Sequence, residues 1–541
     1  MNRRGQSLLM AYVAVAALTV LGGALLNSGY NTYRQSRIDQ LQSDAFYLAE
    51  GGMEDGIRQL LQGVANFQIS PTASSWGPSV TTFAASTDFP GGATASTTVT
   101  EISPGQTTVT QPDGTVVFTK MYRITTTAQH PLNPTTTITL NQMINRRIIY
   151  TFQHAIFYTG DLEWLPGPNM TLSGNVHSNT DMYLGANTSL TVDTISLHAA
   201  GKIYNKRKDD GTIPPGVVQI KNALTGNFVA MNGYDSTAAD WTTGAITKWG
   251  GTVESDVHGI TQLAVPTVGS TQPGGFYDTN AGLKVNSDGN AITITKNGVV
   301  LNQGTDLPNN TVTVANTLYN FREAKWIQTL SIDMKKLAGY NNPADPSPTF
   351  PNQLPANGLL YTSATNTGTS EPAVRLKSGL QIYRTGGLTV VTNDPVYVQG
   401  DYNTVSKQPC AVIGDAANLL SNNWNDANSS NSNLNARTAT NTTVDLAFIA
   451  GIKPTAGSQY SGGLENYPRL LENWSSKTLT ISGSFVSLWN SAIATGNWVY
   501  GSPYYTAPTR SWSYDSSFSS GNLPPFTPMA VDMTTGAWWK Q

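Results

Sequence analysis

Acidic pairs, scattered histidines and one cysteine are the residues of this 541-residue sequence whose types could do chemistry. Asp161 and Glu163 stand one residue apart, a gap that puts both carboxylates on one face of a strand. Carboxylates paired across a cleft serve polysaccharide cleavage. No basic or sugar-binding context accompanies this pair, so a solvated strand edge is expected. His177 lies in Val176-His177-Ser178-Asn179 with Asp181 nearby, but the five histidines show neither H-x-x-x-H nor C-x-x-C spacing. Zinc is therefore not expected, and His177 reads as a turn or rung residue satisfied by neighbouring backbone. Asn286-Ser287-Asp288-Gly289-Asn290 and Asp209-Asp210-Gly211 offer oxygen ligands for calcium but lack the closing bidentate glutamate of an EF-hand. The first reads as a hairpin turn. Cys410, being alone, excludes an internal disulfide and sits in a short apolar run as a small buried hydrophobe. There is no G-x-S-x-G and no phosphate-cradling loop. The sequence predicts no catalytic residue, no metal and no cofactor. Trp489, Trp498, Tyr500, Tyr504, Tyr505, Trp512, Tyr514, Trp538 and Trp539 make the C-terminal region aromatic. Such rings stack on sugars or anchor protein partners; here they are expected to cap the body and shield its edge strands.

The elements that must hold these residues are mostly strands. Charged residues make up 12% of the chain, against roughly 25% in an average globular protein. The 50 glycines and 29 prolines, with abundant Thr, Ser and Asn, favour strands and turns, and the 39% hydrophobic content supports a real core. A net charge of −3 gives no electrostatic footprint for nucleic acid.

The N-terminus differs from the rest. Leu8 to Leu26 carries no charge, long enough for the roughly 20 residues of a membrane span and longer than a secretory h-region. Leu8, Leu9, Met10, Val13, Val15, Leu18, Val20, Leu21, Leu25 and Leu26 are its candidate membrane and filament contacts. Beyond it Ile38, Leu41, Ala45, Leu48 and Ala49 recur at three- and four-residue steps, and Met53, Ile57, Leu60 and Leu61 continue the stripe. One helix is expected from about Leu8 to Leu61, its first half in lipid and its second half packed on protein. Ala45, Phe46, Leu48, Ala49, Glu50 and Met53 are the expected packing residues.

Arg4-Gly5-Gln6-Ser7-Leu8-Leu9, the hydrophobic span and the block Ala45-Phe46-Tyr47-Leu48-Ala49-Glu50-Gly51-Gly52-Met53-Glu54 resemble the N-terminal region of PilX-type pilus-assembly proteins, a branch of the type IV pilin-like class. The resemblance implies a leader over residues 1–5, cleavage by a prepilin peptidase after Gly5, and a mature start at Gln6, often methylated in that class. It implies a bacterial inner-membrane location before assembly and a pilus or cell-surface location afterwards. The implied partners are other pilin-like subunits, the inner-membrane assembly machinery, and a surface or glycan receptor. Major pilins of the class carry glutamate as the fifth mature residue; here Met10 stands there, which resembles minor or tip components.

The expected fold class is an α+β pilin-like unit, a long N-terminal helix plus an antiparallel sheet, followed by a mainly-β body read as a β-solenoid. Residues 6–62 form the helix, 63–150 a linker and the sheet, and 151–541 the body with loop insertions and an aromatic cap. Within 63–150, Val64 to Gly92 reads as the linker, and Ala95–Glu101, Gln106–Gln111, Thr115–Thr127 and Thr135–Met143 as strands. From Thr151 onward strands of about three residues alternate with Gly, Asn and Asp, the texture of stacked coils, with a β-sandwich left open. Leu318–Leu337 has helical character. The function expected is a non-catalytic minor pilin displaying its body for adhesion or assembly priming. A surface-anchored carbohydrate-active or carbohydrate-binding protein is the alternative.

Overall fold

The structure is a computed structural model that describes residues 3–70, 75–81, 94–102, 105–342, 344–366 and 368–541. Helix α1 (Arg3–Ala65) runs for 63 residues. Its N-terminal half is exposed along its whole apolar length and is long and apolar enough to cross a membrane. Its C-terminal half lies on an antiparallel sheet of β1 (Ser75–Thr81), β2 (Thr94–Glu101), β3 (Thr107–Thr110), β4 (Val116–His130) and β5 (Asn133–Tyr150). Part of the expected linker, residues 71–74 and 82–93, lies outside the described residues. The turn Gln111-Pro112-Asp113-Gly114 joins β3 to β4, with the Gly114 N–H donating to the Gln111 carbonyl at 2.9 Å.

What lets α1 lie so close to the sheet is a line of small residues, Ala45, Ala49, Gly52 and Gly56. Steps of four, three and four keep them on one helix face. The Thr97 hydroxyl donates to the Gly52 carbonyl at 2.9 Å, a contact that a bulkier helix face would prevent. A Cβ at Gly56 would stand 2.7 Å from the Thr97 methyl. Around this seam Leu48, Met53, Leu60 and Val64 pack with Val99, Tyr122, Ile124, Ile144 and Ile148 in one core.

One strand of this sheet comes from the far end of the chain. Met529–Lys540 pairs antiparallel with β5, from Met529 opposite Tyr150 to Lys540 opposite Leu140. Residues 151–528 therefore form an insertion that leaves and re-enters the sheet at one point. The expected assignment of 151–541 to a single body with an aromatic cap is corrected here. Trp538 and Trp539 belong to the helix-bearing sheet, and Trp538 meets Phe46 edge-on at 6.1 Å. The two are consecutive, so they point to opposite faces of the strand, and both are exposed there rather than capping the body.

Within the insertion short strands repeat in parallel register. Ile156 pairs with Val176 and Val176 with Leu197, at steps of 20 and 21 residues. Leu162, Met182 and Ile203 form a second parallel set, and Met170, Leu190 and Val218 a third. These nine side chains are all buried in one continuous core. The pairings differ from the antiparallel ladders of a β-sandwich. The longest sheet has 12 strands in an order that the chain does not follow from end to end. In space the parallel strands climb in sequence from Leu283–Asp288 to Phe485–Ser487. They restart at Ile156–Tyr158 and climb again to Val253–Glu254. The stack thus advances in one direction while the chain enters it in the middle. To reach the start of the stack, residues 255–282 run back across the outer face of this sheet. There Leu263 and Tyr277 pack with Phe157, Tyr361, Val391, Ile413 and Ile449.

The helical character expected over Leu318–Leu337 is replaced by an antiparallel pair, Val312–Asn320 with Lys325–Asp333, and only Met334–Leu337 is helical. Lys325–Asp333 also pairs in parallel with Glu371–Lys377, so burial on the stack overrides local propensity.

Gly56→Ala is expected to destabilise the protein by about 1–2 kcal/mol, because overpacking against the Thr97 methyl exceeds the ~1 kcal/mol helix-propensity gain. Thr97→Ser removes that methyl. A double-mutant cycle by denaturant unfolding should show about 1 kcal/mol of compensating coupling; additive effects would mean the helix does not rest on Thr97.

Candidate functional site

Gly5 and Gln6, expected as the processing residues, lie in the first turns of α1. Leu8, Leu9, Met10, Val13, Val15, Leu18, Val20, Leu21, Leu25 and Leu26 are all exposed, a continuous apolar surface that no part of the body covers. Ala45, Leu48, Ala49 and Met53 are buried against the sheet, while Phe46 and Glu50 sit at its margin.

Asp161 and Glu163 do not form a solvated edge. Glu163 is buried, and its Oε1 accepts from the hydroxyls of Thr455 and of Ser461, the latter at 2.9 Å. Burial raises its pKa. Burial also acts to raise Asp161, yet Lys208, 2.6 Å from Oδ2, and the Asp181 N–H, 3.1 Å from Oδ1, hold it below its usual value. The two line a cavity of about 20 Å³ with Arg322, Lys453 and Arg469, room for about one water. Each carboxylate is occupied in fastening one turn of the stack to a later loop, which the local sequence could not reveal.

His177 is a rung residue, stacked on Phe157 at 5.2 Å and paired in register with His198. Its Nε2 bonds to the Asn179 side chain at 2.9 Å rather than to backbone, which corrects the expected partner. With His154 and His198 it borders a cavity of about 510 Å³ between the body and the helix-bearing sheet. Burial lowers His154 to about 3 and His177 to about 4. No group of three His, Cys, Asp or Glu side chains placed to hold a metal occurs among the described residues. Asn286–Asn290 spans the turn between Leu283–Asp288 and Ala291–Lys296, and Asp209 is engaged by Arg207 at 2.7 Å. Cys410 is buried, and burial pushes its thiol up to about 12.

An aromatic hollow lies where the two runs of the stack meet. Tyr460, Trp498, Tyr500 and Tyr505 line a cleft of about 350 Å³ whose far wall is Leu165, Gly167, Pro168 and Asn187. The Trp498 indole N–H donates to the Tyr505 hydroxyl at 2.9 Å, and that hydroxyl donates to Asn466 Oδ1. Tyr460 meets Trp498 edge-on at 5.4 Å, and Tyr500 meets Tyr505 likewise at 5.4 Å. The Arg207 guanidinium lies over the Tyr460 ring at 4.7 Å. At the base, Glu465 accepts from the Leu165 N–H at 3.2 Å and from the Tyr460 hydroxyl at 3.1 Å. Burial raises this carboxyl to about 7. The aromatic composition of the tail signalled Trp498, Tyr500 and Tyr505 in the sequence, whereas Tyr460 lies outside that aromatic run. Their convergence on residues 165–187 is a product of the long-range stacking.

No family model matches the chain, and no curated protein matches it. Among solved structures the chain is similar to the competence-associated pilin ComZ from Thermus thermophilus. The two are 10% identical, with 93% of this chain and 97% of that one covered, at a TM-score of 0.28. A likeness of that size bears on neither fold nor function.

Glu465 provides a test of the cleft's burial. Its side chain ionises near 4.5 in the unfolded chain and near 7 in the folded one. Its contribution to stability is therefore fully present below pH 4.5 and lost as pH rises through 7. Glu465→Gln, neutral throughout, should match the wild type near pH 4 and exceed it by up to roughly 3 kcal/mol at pH 8. Denaturant midpoints at the two pH values measure this; an equal gap at both would place the carboxyl in contact with solvent.

Proposed function

We propose that this chain is a non-catalytic minor pilin-like component, anchored in a membrane by α1 and then carried into a filament by the same helix. The observation that carries this reading is the division of one 63-residue helix into an exposed apolar half and a half buried on an antiparallel sheet. An apolar surface of that length is costly in water and is covered by lipid before assembly and by neighbouring helices after it. The resemblance of residues 4–9 and 45–54 to PilX-type proteins supports a leader over residues 1–5 and a mature, methylated start at Gln6. Met10, in place of the glutamate of bulk subunits, favours a tip position.

On this reading residues 6–62 are the filament helix and 63–150, with the C-terminal strand, the sheet that carries it. The inserted body is a β-solenoid, supported by the parallel registers at 20- and 21-residue steps and by the shared interior. Its partners are prepilin peptidase, the inner-membrane assembly machinery and other pilin-like subunits. It sits in the bacterial inner membrane before assembly and on the pilus or cell surface afterwards, displaying the solenoid for adhesion or assembly priming.

The test is the mature N-terminus, read by mass spectrometry of protein made with and without a prepilin peptidase. A peptidase-dependent start at Gln6 is expected, and Gly5→Val should reduce the processed fraction to background. An uncleaved N-terminus in both strains would overturn the reading.

A further inference from the structure

We propose that the aromatic cleft of Tyr460, Trp498, Tyr500 and Tyr505 is a binding site for a neutral oligosaccharide. A pyranose presents apolar C–H faces and an equatorial rim of hydroxyls, so its receptor needs flat aromatic walls with planar hydrogen-bonding groups between them. The cleft has both. Tyr500 is 54% exposed and Trp498 half-buried, so their rings are available to a ligand, while Tyr505 beneath them is buried. The exposed Asn187 amide also lines the cleft, beside the Asn466 amide and the Arg207 guanidinium, which already bond to Tyr505, Gly462 and Asp209.

The rings are held before any ligand arrives. The chain of hydrogen bonds from Trp498 through Tyr505 to Asn466, and the two edge-on ring contacts, lock the orientation of the wall. A wall ordered in advance loses little conformational entropy on binding. Trp498 and Tyr505 also border a second hollow beside Pro468, Leu471 and Tyr504, of about 10 Å³ and too small for a sugar ring.

Charge selects a neutral sugar over an acidic one. Arg207 is gripped by both oxygens of Asp209, at 2.9 and 2.7 Å. Arg510 donates to the Glu465 backbone carbonyl at 2.9 Å and lies 5.6 Å over the Trp512 ring. Both guanidiniums of the cleft are thus engaged within the protein, and a uronate carboxylate would have to displace those partners.

The wall contributed by residues 165–187 and the rings contributed by residues 460–505 are brought together by the pairing of Phe485–Ser487 on Ile156–Tyr158 and by the Leu165–Glu465 hydrogen bond. Sugar capture here rests on the display reading for its setting alone. An unprocessed chain would still bind, and a processed one could fail to, so the two experiments fail separately.

The test is calorimetric titration of the full chain in detergent micelles with neutral hexasaccharides of glucose, mannose and N-acetylglucosamine, and with hexagalacturonate. Saturable binding of at least one neutral hexasaccharide is expected, weakened at least tenfold in Trp498→Ala and in Tyr500→Ala. Trp326→Ala, an exposed ring outside the cleft, should bind as the wild type does. If Trp498→Ala fails to fold, Tyr500→Ala decides, since its ring is largely in solvent. Absence of binding by every neutral sugar, preference for hexagalacturonate, binding that survives Tyr500→Ala, or equal loss in Trp326→Ala would each overturn the proposal.

Discussion

The pairing of Tyr150 with Met529 holds the molecule together in a way no other contact does. At that point the chain leaves the helix-bearing sheet for the body, and there it returns. Because exit and entry are neighbours, the body can be large without disturbing the sheet, in the manner of a domain inserted at a hairpin. The same junction is reinforced from the side. Ala264, on the segment that runs back along the stack, exchanges two backbone hydrogen bonds of 2.8 Å with Val531 on the returning strand. Phe276 of that segment stacks on Phe67 at the end of α1 with 3.9 Å between centroids. Helix, sheet and body are therefore fastened at one place by groups from four distant parts of the sequence.

The order of strands in the long sheet has a consequence for stability and folding. The stack is completed only when Phe485–Ser487 settles on Ile156–Tyr158, a contact between segments more than three hundred residues apart. Contacts so far apart in sequence carry a loop-closure cost that local turns do not. The seam is correspondingly rich in aromatic packing, with Phe485 stacked on Trp512 at 4.9 Å and Tyr467 edge-on to Phe485 at 6.0 Å. The aromatic cleft lies beside this seam. Buried carboxylates do similar work nearby, as in the Arg469–Glu323 ion pair of 2.7 Å, whose side chains are both almost fully buried.

A second constraint acts at the helix. The small face of Ala45, Ala49, Gly52 and Gly56 brings the backbone of α1 within reach of the Thr97 hydroxyl, and that hydroxyl also lies 2.8 Å from the one on Thr126. Polar side chains on the buried face of a sheet need such partners, and the helix backbone supplies one of them. The apolar side chains of the other half, from Leu8 to Leu26, are exposed, so that surface is left for another environment.

Local pattern was enough to predict a long N-terminal helix with an apolar first half, and its three- and four-residue stripe marked Ala45, Leu48, Ala49 and Met53 as apolar-face positions. Hairpin chemistry at Gln111–Gly114 and Asn286–Asn290 was equally visible, because a turn is specified by the few residues in it. The short strands after Thr151 were legible for the same reason. The tertiary structure alone decided where those strands go. Nothing near Met529–Lys540 indicates that it completes a sheet begun at Ser75, and nothing near Ile156 indicates that its neighbour is Phe485. Glu163 and Asp161 looked solvated because their partners, Thr455, Ser461 and Lys208, lie 47 to 298 residues away. Lys325–Asp333 became a strand because the stack offered a parallel partner in Glu371–Lys377. Helix periodicity and turn type are local energies and can be read from a short window. Strand pairing, burial of charge and the walls of a cleft are energies of contact between distant segments, and only the folded chain brings those segments together.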